Sequence, residues 1–232
     1  MRVTIVVLAK YPEVFAEFLR TVEICEPSTP KVLVRDGFDI PSDFLCGLST
    51  WKLIQGPDKF SMAGNGNLGL RAVDEGSDIL YCGDDVRFTT PTVQHLHDAA
   101  YSDPHVGILS PKLVGRGTDI QMQPWAYITE TTPNLLWFPC VYIKRALINR
   151  IGYLDESFSE FGKDDLDYSI RARQAGYKLA VTNAVSVIHE GSPEGGPTTF
   201  DKTLGAAERN RQCEAALDKL KAKYGDGWEG LL

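Results

Sequence analysis

Two groups of carboxylates, one histidine and one further aspartate have the types and spacing to do chemistry. Gly83-Asp84-Asp85 sets two acids beside a flexible glycine. Such a pair suits a hard divalent cation, because Mg2+ or Mn2+ often takes only one or two protein carboxylates and leaves positions for substrate phosphate oxygens. A polar turn with an aspartate cap reads the same residues at least as well. The second group is Asp164-Asp165-Leu166-Asp167. Acids in a first helical turn are favoured by the helix dipole, and Asp167 precedes Arg171 by the four residues of a helix-stabilising pair. The segment still holds more acids than capping requires. Asp164 and Asp167 share a face while Asp165 points elsewhere, and crowded carboxylates raise one another's pKa, as a general base needs. His189 ends an apolar run and precedes a Gly- and Pro-rich stretch; a lone histidine is more often structural, but this position also suits a metal ligand. Asp36 ends another apolar run as part of Asp-Gly. It is either a turn former or an acceptor for a base or sugar edge.

These residues need a frame. Val3 to Ala9 is a near-continuous apolar run of the kind a doubly covered strand requires. Pro12 opens a helix with Val14, Phe15, Phe18, Leu19 and Val22 on one side. Lys31 to Arg35 is a second strand, and strand–helix–strand at this spacing predicts a parallel sheet. Trp51 to Ile54 reads as a short strand, Ser61 to Asn67 as a loop, and Asn67 to about Val73 as a helix. The strand Ser77–Cys82 then carries Gly83-Asp84-Asp85 at its carboxyl end, where ligands bind in open parallel sheets. Beyond it the pattern predicts a helix over 91–100, a strand over 106–109, an irregular stretch over 115–137, a strand over 141–143 and a helix through Ile148. Asp164 to Ala175 is a helix closed by Gly176. Short strands over 178–181 and 185–188 lead to His189, and 190–202 forms a loop. The last helix, from about Leu204 to Tyr224, sets Cys213, Leu217, Leu220 and Tyr224 on one side.

Bulk properties narrow the field. The chain has 232 residues, 43% hydrophobic, which is enough for a substantial core. A net charge of −7 makes nucleic acid a poor default partner. No apolar run reaches membrane length and no cleavable leader is evident, which predicts a cytoplasmic protein. Five scattered cysteines match neither a zinc site nor a disulfide framework, so buried free thiols are expected. No linker divides the chain, and residues 1–232 are expected to form one domain.

Taken in order, the motifs resemble the family 2 glycosyltransferases. The resemblance rests on Val34-Arg35-Asp36-Gly37, then Asn67-Leu68-Gly69, then Asp84-Asp85. Its most specific part is Ile151-Gly152-Tyr153-Leu154-Asp155-Glu156-Ser157-Phe158, running into Asp164-Asp165-Leu166-Asp167-Tyr168, Arg171 and Gly176. Val187-Ile188-His189, Asn210 and Lys223-Tyr224-Gly225 follow. The resemblance implies an α/β GT-A fold, a Rossmann-like and mostly parallel central sheet flanked by helices. Residues 1–110 would bind nucleotide sugar and metal, 111–200 would bind acceptor and carry the catalytic group, and 201–232 would form the C-terminal helix. It implies an inverting, metal-dependent transfer of a sugar from a nucleoside diphosphate, with UDP-sugar favoured, to an acceptor hydroxyl that is most simply a glycan's. Asp85 and His189 would hold Mn2+ or Mg2+. Ala9, Asp36, Asn67, Arg71 and Asp84 would join Asp85 on the donor side, with Asp36 on the nucleobase. Asp165 would be the general base, with Asp164 in the place usually held by Glu. Trp125 and Trp137 would stack on an acceptor sugar, as Tyr127 could too; the same aromatics also read as core or loop anchors.

Two departures stand out. Gly83 occupies the first position of the family's D-x-D motif, and Pro139-Cys140 stands where a small pair is common. Two other functions compete. A metal-dependent nucleotidyltransferase would want a phosphate-cradling glycine loop with a basic residue after the first strand, and Lys10-Tyr11-Pro12 lacks that loop. A non-catalytic nucleotide-sugar binder would not need Asp85, Asp165 and His189 all intact.

Overall fold

A computed structural model describes residues 2–57, 61–123, 134–158, 162–189 and 199–231, with the side chains of 199–204 and 206 left aside. The strand β1 (Val3–Ala9) leads to α1 (Pro12–Cys25), β2 (Lys31–Arg35), β3 (Lys52–Gln55) and α2 (Met62–Arg71). The middle of the chain forms β4 (Asp78–Gly83), β5 (Val86–Phe88), α3 (Val93–Ser102), β6 (Val106–Gly115), α4 (Asp119–Met122), β7 (Cys140–Ile143) and α5 (Arg145–Ile151). It closes with α6 (Asp164–Gln174), β8 (Lys178–His189) and α7 (Thr199–Tyr224).

All eight strands join one sheet in the order β3-β2-β1-β4-β7-β6-β8-β5. The pairings β1–β2, β1–β4, β2–β3 and β6–β8 are parallel, whereas β7 runs antiparallel to β4 and β6, and β5 antiparallel to β8. From β1 the chain builds outward through β2 and β3, then returns to lay β4 on the other side of β1. That reversal opens a crevice at the carboxyl ends of β1 and β4, where open α/β sheets bind ligands.

Alternation along β1 explains the two-sided burial. Val3, Ile5, Val7 and Ala9 face a core with Phe15, Phe18 and Val22 of α1 and Leu96 of α3. Val6 and Leu8 face Ala63 and Leu70 of α2, Leu147 of α5 and Tyr168 and Ala172 of α6. A third cluster joins Leu166 and Ile170 to Ala216, Leu220 and Trp228, with Leu217 and Tyr224 packed against it. The apolar side read for the last helix is therefore the side that docks on α6.

Two local readings change. Residues 62–67 are helical, not a loop: Ser61 caps α2 by accepting a hydrogen bond from the Gly64 N–H at 3.0 Å. Its glycines lower helix propensity but permit close packing. A β-carbon on Gly69 would stand 2.4 Å from Val6 Cγ1, and one on Gly66 2.8 Å from the Tyr81 hydroxyl. The two short strands before His189 are one strand, broken in register where Pro111 pairs with Thr182 and Lys112 with Ser186; proline has no N–H to give the ladder. The thiols also differ from expectation. All five are free, but only Cys82 and Cys140 are buried, side by side at 3.7 Å between sulfurs.

The motif around α6 is held by one buried acid. Asp167, fully buried, accepts from Arg171 Nε at 2.8 Å and from the Tyr224 hydroxyl at 2.6 Å, and Lys223 Nζ lies 2.6 Å away. Arg171 also donates to the carbonyls of Ile151 and Tyr153. The network thus ties α6 to the turn after α5 and to the end of α7. Removing one partner of a buried ion pair leaves the others uncompensated. Asp167→Ala is accordingly expected to cost about 3 kcal/mol, a melting temperature lower by roughly 6–12 °C at this size. Calorimetry that finds less than about 1 kcal/mol would rule out this structural role.

Candidate active site

The carboxyl ends of β4, β6 and β8, the segment that enters β7 and the start of α6 surround a cavity of about 590 Å3. Asp85, His189, Asp164, Asp165 and Trp137 line it, with Tyr81, Gly83, Arg116, Phe138, Lys163 and Arg209. Residues far apart in sequence meet here because each closes a strand or opens the helix facing those strand ends.

On one wall, Asp85 and His189 are each 9% exposed, and His189 Nε2 lies 3.5 Å from Asp85 Oδ2. Val86 and His189 pair across β5 and β8, which brings these side chains together. On its other side the imidazole sets Nδ1 2.8 Å from the Arg116 carbonyl oxygen. A carbonyl only accepts, so Nδ1 carries the hydrogen, and in the neutral ring the lone pair of Nε2 faces Asp85. A lone pair and a carboxylate repel unless a proton or a cation lies between them. Two ligand atoms about 2.1 Å from one ion stand roughly 3–3.5 Å apart, so the pair fits a divalent metal. Burial opposes the charged imidazole, but the hydrogen bond and charge of Asp85 outweigh it and hold the His189 pKa above its ordinary value. Among the described residues no three His, Cys, Asp or Glu converge on a single point. Asp85 and His189 would thus be the protein's share of a site that phosphate oxygens and water complete.

Gly83 earns its place by geometry. A β-carbon there would stand 2.9 Å from Asp85 Oδ1, so a side chain at 83 must push that carboxylate aside. Gly83→Ala is expected to weaken Mn2+ binding by about tenfold, in the range seen when the support of a metal ligand is lost. Titration calorimetry with Mn2+ checks this, and unaltered affinity would show that Asp85 does not need the space.

Asp164 and Asp165, at the start of α6, line the same cavity. Burial, reinforced by the Asp165 charge, pushes Asp164 up to about 7. Burial pushes Asp165 up to about 6, against the pull of the Leu166 N–H and the Lys163 charge. The two titrate as a coupled pair. Tyr81 lies beneath them, and burial, then the charges of Asp164 and Asp165, hold its phenol well above the ordinary value. It stays protonated, which leaves the carboxylates as the bases there. Trp137, 46% exposed, projects at the rim. Its backbone is fixed at both polar atoms by the buried Gln121, whose amide accepts from Trp137 N–H and donates to its carbonyl. Trp125 and Tyr127 fall outside the described residues.

At the crevice between β1 and β4, Lys10 links Asp36 and Asp84, two of the acids expected on the donor side. Its backbone N–H donates to Asp84 Oδ2 at 3.1 Å, and its ammonium to Asp36 Oδ2 at 2.7 Å. The Asp36 N–H in turn donates to the Ala9 carbonyl at 2.8 Å. Ala9, Asp36 and Asp84 are therefore gathered at the switch point, beside Asp85. Asn67 and Arg71 are not. Asn67 exchanges hydrogen bonds with the Leu154 backbone and donates to Glu156, and Arg71 pairs with Glu156 at 3.3 Å. Their side chains fasten α2 to the turn at 152–156; of the residues expected on the donor side only Asp85 lines the cavity, and Ala9, Asp36, Asn67, Arg71 and Asp84 do not.

Sequence reading missed four basic residues, Lys10, Arg116, Lys163 and Arg209. Lys10 and Lys163 adjoin elements read from the sequence and Arg209 lies within one, but their residue types did not set them apart.

No protein-family model matches the sequence, and no curated protein matches it. Solved structures do. A mannosyltransferase, PcManGT from Pyrobaculum calidifontis, in complex with GDP-Man and Mn2+, superposes with a TM-score of 0.61 at 18% identity, covering 84% of this chain and 58% of that one. GalNAc-T7 with UDP, GalNAc and Mn2+ superposes with a TM-score of 0.70 at 13% identity, covering 98% of this chain and 50% of that one. The chain thus spans about half the length of these structures. The likeness is one of fold, and the fold is GT-A.

Proposed function

We propose that this chain is a metal-dependent, inverting glycosyltransferase that moves a sugar from a nucleoside diphosphate to an acceptor hydroxyl. One observation supports the reading: Asp85 and His189, 3.5 Å apart and spaced to chelate a cation, line the same open cavity as Asp165, a carboxyl whose pKa burial raises. Both matched structures hold a nucleotide or nucleotide sugar together with Mn2+, and the ordered motifs favour a relative of family 2 within the GT-A fold.

The chain's own residues divide the work. Asp36 and Lys10 set an acceptor and a donor side by side at the switch point, which fits the N–H and C=O edge of uracil, or that of guanine; the donor is taken as a UDP-sugar. A bound Mn2+ or Mg2+ supplies the charge that offsets the departing diphosphate. Asp165, ionised above about pH 6, removes the proton from the acceptor hydroxyl as that oxygen attacks the anomeric carbon. One displacement inverts the carbon, through a transition state of oxocarbenium character by analogy with glycoside hydrolysis. The exposed ring of Trp137 offers a face to an acceptor sugar. The five free thiols suit a reducing cytoplasm, and no helix among the described residues is long and apolar enough to cross a membrane.

The test is nucleoside-diphosphate release from UDP-, GDP- and dTDP-sugars with Mn2+, with NMR of the product's anomeric configuration. Release with inversion supports the reading. Pyrophosphate release from a nucleoside triphosphate and a sugar phosphate would replace it with nucleotidyl transfer. Nucleotide binding without turnover across an acceptor panel would leave a binding protein.

A further inference from the structure

The turn that enters α6 is built against conformational preference. Gly162 and Lys163 both have positive φ, +96° and +71°, and Lys163 is the one non-glycine residue in that state among those described. An L-residue with a β-carbon gives up about 1 kcal/mol or more there, and glycine would give up far less. Asp164 and Asp165 follow immediately, so a glycine at 163 would open the helix as well. What lysine adds is an ammonium at the wall of the cavity beside Asp165, whose carboxylate its charge reaches.

A second cation converges on the same turn. Cys213 of α7 packs on Gly162, its sulfur 3.4 Å from where a β-carbon would stand. Arg209 lies one turn earlier on that face of α7, and it too lines the cavity. In a chain of net charge −7, two cations are thus held on the wall that carries the base. Asp85 and His189 would already provide for the donor diphosphate by holding the metal. Because Asp165 must touch the hydroxyl it deprotonates, the cations beside it face the acceptor.

We propose that Lys163, flanked by Arg209, is a specificity-determining residue that reads an anionic group, carboxylate or phosphate, carried by the acceptor close to its reacting hydroxyl. The inference rests on the glycosyl-transfer reading and narrows its acceptor class. Lysine provides a compact charge with rotatable donors, suited to either anion. The other charged or titratable residues lining this cavity are Asp164, Asp165, Asp85, His189 and Arg116. The anion therefore has to sit on the Lys163 and Arg209 side, away from the carboxylates.

The test uses matched probes on the full chain with saturating UDP or GDP and Mn2+: methyl glucuronide against methyl glucoside, and glucose 6-phosphate against glucose. Calorimetry should show the anionic member of at least one pair binding about tenfold more tightly, as one charge-assisted contact provides. The responding pair tells carboxylate from phosphate. Lys163→Gly keeps the left-handed turn and should abolish the preference, while Lys163→Arg should retain most of it. No preference in either pair, or a preference that survives in K163G, overturns the inference. So does a K163G loss expressed as weaker nucleoside-diphosphate affinity, which would assign the cation to the donor. Failure of both UDP and GDP to bind with Mn2+ would overturn the transfer reading itself, and this inference with it.

Discussion

Asp165→Asn is expected to lower the transfer rate by about a thousandfold, within the 10²–10⁴ range of a lost general base, while the protein still binds nucleoside diphosphate with Mn2+. The asparagine amide keeps the shape of the side chain and cannot take a proton. The pH dependence carries the same signature. A base with a pKa of about 6 must be ionised, so kcat/KM of the parent should fall about tenfold per pH unit below 6 and level off above it. Stability should move the opposite way. The folded-state pKa is raised from 3.8, so the carboxyl's contribution is fully present below pH 4 and lost as pH rises through about 6. The effect is on the order of 1–3 kcal/mol and is shared with Asp164, with which this carboxyl titrates. At pH 8 the Asn variant should therefore melt higher than the parent, and below pH 4 the gain should vanish. A variant that transfers sugar at the parental rate would remove Asp165 from the chemistry.

Asp85→Ala is expected to weaken Mn2+ binding at least about a hundredfold, because one imidazole remains where a chelating pair stood. The nucleotide should then bind with little dependence on Mn2+. Electron paramagnetic resonance of free Mn2+, titrated with protein and UDP, reads this directly. A second readout needs no metal. Asp85 is what holds the His189 pKa up against burial, so in the variant that pKa should fall, as NMR of the imidazole protons can follow. Unchanged Mn2+ dependence would exclude Asp85 as a ligand; an unmoved His189 pKa would show that the two side chains do not interact.

Sequence alone carried the frame where periodicity was strong. The strands Val3–Ala9 and Lys31–Arg35, the helix opened at Pro12 and the helix stopped by Gly176 at φ +88° all follow local rules. Asp85, Asp165 and His189 were legible as a set because each ends or begins such an element, and they line one cavity. The misreadings share a cause, which is that tertiary packing overrides propensity. Gly64 and Gly66 look like loop residues until Ser61 caps the helix and Leu154 and Tyr81 press against Gly66. The antiparallel insertion of β7 between β4 and β6 leaves no mark in a four-residue run. Gly83 looked like a defect in an acidic motif, yet it makes room for Asp85. Asn67 and Arg71 illustrate the converse: the resemblance implies a donor-side place for both, yet Asn67 spends its side chain on Leu154 and Glu156, and Arg71 on Glu156. Lys163 was invisible because backbone dihedrals are not written in residue types.

The Arg116 carbonyl that accepts from His189 Nδ1 is main chain. Replacing the side chain at 116 leaves that oxygen in place, so an alanine scan would score the position as neutral to the tautomer. The orientation of the imidazole is inherited from the alignment of β6 against β8, and sequence drift at 116 costs it nothing. Only an insertion or deletion that slides one strand past the other would turn the ring.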